Sequence, residues 1–95
     1  MSQIQRSQVA ALVDRARAMT DERIAAAPPG SVRNVFTSIR SQLEYMRDTL
    51  ASGASPAVDD INRLTLGVIA VREFEASDLA YCDAVCDAVF TFKQL

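Results

Sequence analysis

Residues 31–50, SVRNVFTSIRSQLEYMRDTL, decide the fold class. Within them Val32, Phe36, Ile39, Leu43, Met46 and Leu50 recur in alternating steps of four and three. That spacing lays apolar side chains along one side of a helix as a heptad-like seam. Ser31 is placed to cap the start, and Gly53 ends the run soon after Leu50. A seam of this kind needs other helices to cover it.

The flanking segments supply them. Pro28-Pro29-Gly30, the stretch from Ser52 to Pro56 and the region from Glu75 to Asp78 punctuate the chain into four segments. From Ile4 to Ala26 the residues Val9, Leu12, Val13, Ala16, Met19 and Arg23 or Ile24 fall near one helical stripe, and the double proline stops the helix. A third helix is predicted with Ser55 as its cap, Pro56 at its first position and Asp59 and Asp60 favouring the positive end of its dipole. It runs on through Phe74. One apolar stripe on it is Ile61, Leu64, Val68 and Val71; a second, on the opposite side, is Leu66, Ala70 and Phe74, with Gly67 beside it. A helix apolar on two faces is either central to a bundle or offers one face to a partner. A fourth helix starts near Ser77 or Asp78 and carries Leu79, Cys82, Val85 or Cys86, Val89, and Phe90 or Lys93 at the same spacing, with Asp83 and Asp87 outside. The expected fold is all-α: a compact bundle of about four helices with no sheet, residues 1–95 forming one domain.

Charge limits the function. Ten basic residues against twelve acidic ones give a formal charge of −2. A nucleic-acid module needs clustered Lys and Arg to displace counterions, so that class is disfavoured. A somewhat basic protein partner fits better. The start, MSQIQRSQ, lacks the basic and apolar regions of a secretory signal. The apolar run Leu64–Val71 is far below the roughly 20 residues that cross a bilayer. The expectation is a cytoplasmic protein with no membrane association.

Catalytic chemistry is hard to assemble from these residues. The sequence has no His, and no nucleophile stands beside a tuned base. Asp59 and Asp60 are adjacent, so on a helix they point in different directions. Cys82 and Cys86 lie four apart and read as small buried apolar side chains, since a metal would need further ligands. Gly67 inside a helix costs about 1 kcal/mol relative to Ala unless a neighbouring helix approaches closely there. No cofactor, metal or enzymatic activity is expected.

Two segments carry a resemblance. Arg63–Asp78, RLTLGVIAVREFEASD, and Gln42–Leu50, QLEYMRDTL, are similar to a small family of bacterial immunity proteins. The similarity runs through most of residues 31–78, with the first thirty and last fifteen residues matching only in helical character. The resemblance implies protection of a type VI secretion-system attacker and its kin from an NAD(P)+-glycohydrolase effector, by binding the toxin domain and occluding its active site. Affinity would then be nanomolar or better, about −12 kcal/mol, over an interface on the order of 1,600 Å².

Candidate toxin-binding residues follow from exposure and residue type. Glu73, Glu75 and Asp78 gather with Arg72 and Phe74 at a helix exit. They form either a solvated terminus with Phe74 in the core or an acidic patch that complements a phosphate-binding cleft. Tyr45 and Asp48 lie off the seam, and Tyr45 is either a hot spot or a side chain lying along a neighbouring helix. Arg63 flanks the second stripe or pairs with Asp59. Two other readings stay open: an immunity protein for a toxin of different chemistry, and a self-associating adaptor, a homodimer when free, using the second stripe of the third helix.

Overall fold

The heptad-like seam forms from Phe36 to Met46, and its first expected member, Val32, stays outside. The structure, a computed structural model, describes residues 5–95. Phe36, Ile39, Leu43 and Met46 are all buried on one side of a long helix, while Leu50 is partly buried and Val32, in the first turn, is exposed. Five helices follow one another: α1 (Arg6–Ala26), α2 (Ser31–Ser52), α3 (Val58–Asn62), α4 (Leu66–Phe74) and α5 (Leu79–Phe92). No strand occurs among the described residues. Ile4, placed by the sequence at the start of the first helix, lies outside the described residues.

The four longer helices form an antiparallel bundle in which α1 packs on α2 and α5, and α4 packs on α5 and α2. Directions are fixed by side-chain contacts. Arg6, at the start of α1, donates to the carbonyls of Thr49 (3.3 Å) and Ala54 (2.9 Å) at the end of α2. There a cation also complements the negative end of the α2 dipole. Further along, Asp14 meets Arg47 at 3.4 Å, Arg17 meets Glu44 at 2.8 Å, and Asp21 meets Arg40. The ladder zips α1 against α2 in opposite senses.

The turn between them departs from the sequence reading at one residue. Gly30 precedes the helix as its cap, with φ 147°, and Ser31 is the first helical residue. A side chain at that φ would be strained, so the glycine after two prolines takes the position that Ser31 was expected to fill. At the other end Gly53 closes α2 in the left-handed conformation, φ 75°, with its N–H donating to Leu50 O.

The third expected helix is two helices. α3 is capped by Ala57, not Ser55, and its first turn holds Asp59 and Asp60. The last turn closes with Arg63 N donating to Asp60 O (3.2 Å) and Leu64 N to Ile61 O (3.1 Å), and α4 begins after Thr65. The reason lies in Leu64 and Leu66. On a continuous helix they would stand about 200° apart; the break turns both inward, leaving Leu64 and Leu66 buried together. The backbone groups freed at the break are met from across the bundle. Gln42 Oε1 on α2 accepts from Thr65 N (2.7 Å) and Leu66 N (3.0 Å), and its Nε2 donates to Thr65 Oγ1 (3.2 Å). A side chain of α2 therefore caps α4, whose own cap residue makes no side-chain cap bond.

Aromatic rings close one end of the core. Phe36 and Phe74 stack with centroids 4.9 Å apart, and Tyr81 meets both edge-on at 5.6 and 5.4 Å. Between α4 and α5, a Cβ on Gly67 would come within 3.1 Å of Val89 Cγ1, so the close helix approach expected there is present.

Candidate interaction surface

Asp78 is drawn into the fold. Its carboxylate caps α5 by accepting from Tyr81 N, and Arg23 of α1 holds it with two bonds, Nε to Oδ2 at 2.8 Å and Nη2 to Oδ1 at 3.2 Å. The Arg23 hydrogen bond lowers the Asp78 pKa below the ordinary carboxylate value, against a smaller opposing effect of burial. The same guanidinium lies 4.7 Å from the centre of the Tyr81 ring. Beneath it the Tyr81 hydroxyl stands 2.7 Å from Thr20 Oγ1, which in turn lies 2.7 Å from Ala16 O. A carbonyl only accepts, so the Thr20 proton goes to Ala16 and Tyr81 donates to Thr20. Burial raises the Tyr81 pKa and keeps it a donor. Thr20 and Tyr81 are fully buried, and the sequence reading had assigned neither to the core.

The other candidate residues spread over two faces. Tyr45 and Arg63 come together with Asp60 and Leu64 along a shallow groove. Tyr45 is half-buried, its ring edge-on to Phe92 at 6.2 Å, while the Arg63 side chain is 82% exposed and reaches Asp60 at 4.0 Å and not Asp59. Asp48 is exposed on α2. Glu73 lines a different depression, with Ser31, Val35 and Phe74, and pairs with Arg72 at 3.3 Å. Glu75 is exposed just past α4, and Phe74 is buried beside it. The acidic exit is thus a pair of exposed carboxylates over a core phenylalanine, with Asp78 held apart by Arg23.

Of the two apolar stripes around α4, the structure buries the second. Leu66, Ala70 and Phe74 are in the core, so the stripe nominated as a dimer face is not available to a partner. The first stripe emerges instead: Val68 is 68% exposed and Val71 44%. Across from them on α5, Phe90 is 68% exposed, because Phe92, two residues on, takes the core position. Leu79, expected inside, is exposed at the start of α5. Val68, Val71 and Phe90 flank a groove of about 510 Å³ whose floor includes Gly67, Cys86 and Val89. Cys82 is buried as expected; Cys86 is only half-buried, and burial together with the neighbouring Cys82 pushes its pKa up to about 11. Its Sγ lies 3.9 Å from Gly67 O. Among the described residues no cluster of His, Cys, Asp or Glu is arranged to hold a metal ion.

Charge divides along the same line. Residues 1–52 hold seven arginines and five carboxylates, whereas residues 53–95 hold seven carboxylates and three cations. In the first half Asp14, Asp21 and Glu44 are all paired with arginines across α1 and α2. On the second half Glu75, Asp83 and Asp87 are exposed and make no ion pair among the described residues. The charged residues that line the groove itself are Arg72 and Lys93, while Glu75, Asp83 and Asp87 lie elsewhere on the exposed sides of α4 and α5.

A family model described as Tsi6 matches residues 8–94. The chain belongs to the Tsi6 family. The immune protein Tsi6 of Pseudomonas aeruginosa is 36% identical over 78 residues, which cover 82% of this chain and 79% of that protein. The solved structure of Tsi6 from Pseudomonas aeruginosa matches with a TM-score of 0.80 at 34% identity, covering 92% of this chain and 86% of that one. A chain in the structure of Tse6 in complex with Tsi6 matches with a TM-score of 0.77, also at 34% identity, covering 90% and 86%. The resemblance to immunity proteins read from residues 31–78 is borne out. It also reaches further than those residues, through most of α1 and all of α5. No helix among the described residues is long and apolar enough to cross a membrane.

Proposed function

We propose that this Tsi6-family chain is a cytoplasmic, non-enzymatic immunity protein that binds the toxin domain of a cognate effector and blocks its active-site cleft. The effector is one delivered by type VI secretion, and its toxin is an NAD(P)+ glycohydrolase. The observation that carries this reading is the match over nine-tenths of the chain to a component of the structure of Tse6 in complex with Tsi6. Occlusion demands shape and charge from the inhibitor and no catalysis, which agrees with a surface of apolar and acidic side chains. Tyr45, Asp48, Arg63, Glu73 and Glu75 present polar groups to solvent and are assigned here as toxin contacts. Asp78 contributes by fixing the end of α5 through Arg23.

NAD+ loss catalysed by the cognate effector's toxin domain, measured with and without the purified chain, tests the reading. Stoichiometric inhibition is expected. A toxin that binds the chain yet consumes no NAD+ would keep immunity and replace the chemistry; full NAD+ loss in the presence of excess chain would sink both. Charge reversal of Glu73 and Glu75 tests their assignment, since losing a desolvated pairing costs about 2–5 kcal/mol of affinity. An unchanged affinity together with an unchanged melt removes these two carboxylates from the contact set.

A further inference from the structure

Residues 55–63 cross from the end of α2 toward the start of α4 with little to hold them. They contain α3, a helix of five residues with no buried side chain. A helix this short is not stable by itself in water, so α3 depends on its docking. Yet the packing that holds the bundle runs among α1, α2, α4 and α5. Among the described residues no hydrogen bond or ion pair joins residues 55–63 to another element. Ile61 N donates to Ala57 O and Arg63 N to Asp60 O, and the Arg63 guanidinium turns to Asp60, all within the segment. Only Pro56, Asp60 and Ile61 are partly covered; the rest are exposed. The two ends are held far better. Ala54 O accepts from Arg6 Nη2 at 2.9 Å. At the other end Gln42 Oε1 accepts from Thr65 N and Leu66 N at 2.7 and 3.0 Å, and Leu64 and Leu66 are buried. Between these anchors the segment stands off from α2. Asp60, Arg63 and Leu64 share with Ser41, Gln42 and Tyr45 a trough of about 240 Å³, where closely packed helices would interdigitate.

We infer that residues 55–63 are a strap that undocks from the Tyr45 face of α2 as one unit, hinged at Ala54 and Leu64, while the four longer helices stay folded. This goes beyond the immunity reading and stands without it. Undocking breaks no hydrogen bond to the bundle, since the strap makes none among the described residues, and it uncovers little apolar surface. Its free-energy cost is therefore small beside that of unfolding the bundle. The ends suit the motion. Gly53 already turns the chain in the left-handed conformation, φ 75°, and past Leu64 the chain leaves one helix before it enters the next. Tyr45, half-buried with its ring edge-on to Phe92, is the α2 side chain whose exposure changes as the strap moves.

Amide exchange in the full free chain, followed residue by residue in urea below the unfolding transition, tests the strap. The N–H groups of Ile61, Arg63 and Leu64, whose acceptors all lie within it, should share one protection level. That level should be about 100-fold or more below that of Leu43 and Met46 on α2, with a much weaker urea dependence. Val58 is 71% exposed and opens α3 after Ala57, whose ψ of 144° suits a residue before proline. Val58→Pro should slow strap exchange about two- to fivefold by restricting the undocked segment, with the melt of the bundle unchanged. Val58→Gly with Asp59→Gly, both at exposed positions, should speed it by about threefold or more. Tyr45→Ala should also speed it. Strap exchange does not pass through global unfolding, so this variant reports the lost docking wall alone. Strap amides as protected as Leu43, or with the same urea dependence, overturn the inference, because the segment then opens only with the bundle. Unequal protection of the three amides overturns the single unit. Substitutions at Val58 that shift Leu43 and Ile61 in step, or that lower the melt of the bundle, make α3 part of the cooperative core and overturn the inference too. Exchange indifferent to Tyr45→Ala overturns the docking face.

Discussion

Replacing Gln42 with Ala should loosen α4 from the bundle, although Gln42 lies on another helix. The side chain supplies two acceptor contacts to the first N–H groups of α4 and one donor contact to Thr65. α4 is nine residues long and has no side-chain cap of its own, so it depends on tertiary support more than a longer helix would. Losing an N-cap costs about 0.5–2 kcal/mol. Leu66, whose N–H is one of the two capped, is fully buried, so fraying there also uncovers core surface. The upper part of that range, about 1–2 kcal/mol, is expected. For a domain of this size each kcal/mol moves the melting temperature by about 4–8 °C, so Gln42→Ala should melt roughly 4–16 °C lower. Gln42→Glu is the informative companion. A carboxylate accepts the same two N–H bonds, stands at the positive end of the α4 dipole, and loses only the donation to Thr65. It should restore most of the loss at neutral pH. Amide exchange at Thr65 and Leu66 should accelerate in the alanine variant and stay slow in the glutamate one. A Gln42→Ala melt within a degree or two of the parent, or equal damage from Gln42→Glu, would refute the idea that α2 caps α4.

Further outcomes can be checked with the same protein. Leu43→Ala, at a fully buried position on the α2 seam, should cost about 2–5 kcal/mol by denaturation, because transfer energy is lost and a cavity remains. The depressed Asp78 pKa makes its pairing with Arg23 stabilising above the unfolded carboxylate value of about 4, and that contribution is lost as pH falls through the lower folded value. Asp78→Asn should therefore lower the melting temperature at pH 7 and flatten its decline as pH falls below the unfolded value of about 4, where the parent loses this contribution; parallel acid limbs would contradict the pairing. With its pKa near 11, Cys86 should react with a disulfide reagent at pH 8 about a hundredfold or more below an ordinary exposed thiol, and the rate should climb about tenfold per pH unit toward pH 10.

Much of this architecture could be read from local pattern. The α2 seam, the stop at Gly53, the close approach at Gly67 and the start of α5 at Asp78 each follow from residues near one another in the chain. The break between α3 and α4 does not. It is stabilised by Gln42, 23 residues before Thr65, and nothing local distinguishes a broken helix from a continuous one when the apolar spacing continues across it. On α5 the difficulty is excess. Leu79, Tyr81, Cys82, Val85, Cys86, Val89, Phe90 and Phe92 place apolar groups almost all round the helix, so periodicity alone could not choose Phe92 over Phe90 for the core. The Thr20–Tyr81 pair escaped notice because each residue is amphipathic and its burial depends on finding the other.

The interaction surface was harder to read for a related reason. Recognition of a protein partner leaves no chemical signature of the kind that a metal site or a nucleophile leaves. What marks a docking face is which of several apolar stripes fails to find cover, and that depends on where the neighbouring helices pack. Here α2 covers Leu66 and Phe74, so the stripe of Val68 and Val71 is left outside. The charges follow the same division. Asp14, Asp21 and Glu44 lock α1 to α2 through arginines, and substituting them weakens contacts internal to the fold. Glu75, Asp83 and Asp87 hold nothing together inside the bundle among the described residues, so neutralising them leaves the folded state close to unchanged, within the roughly 0.5 kcal/mol usual for surface positions.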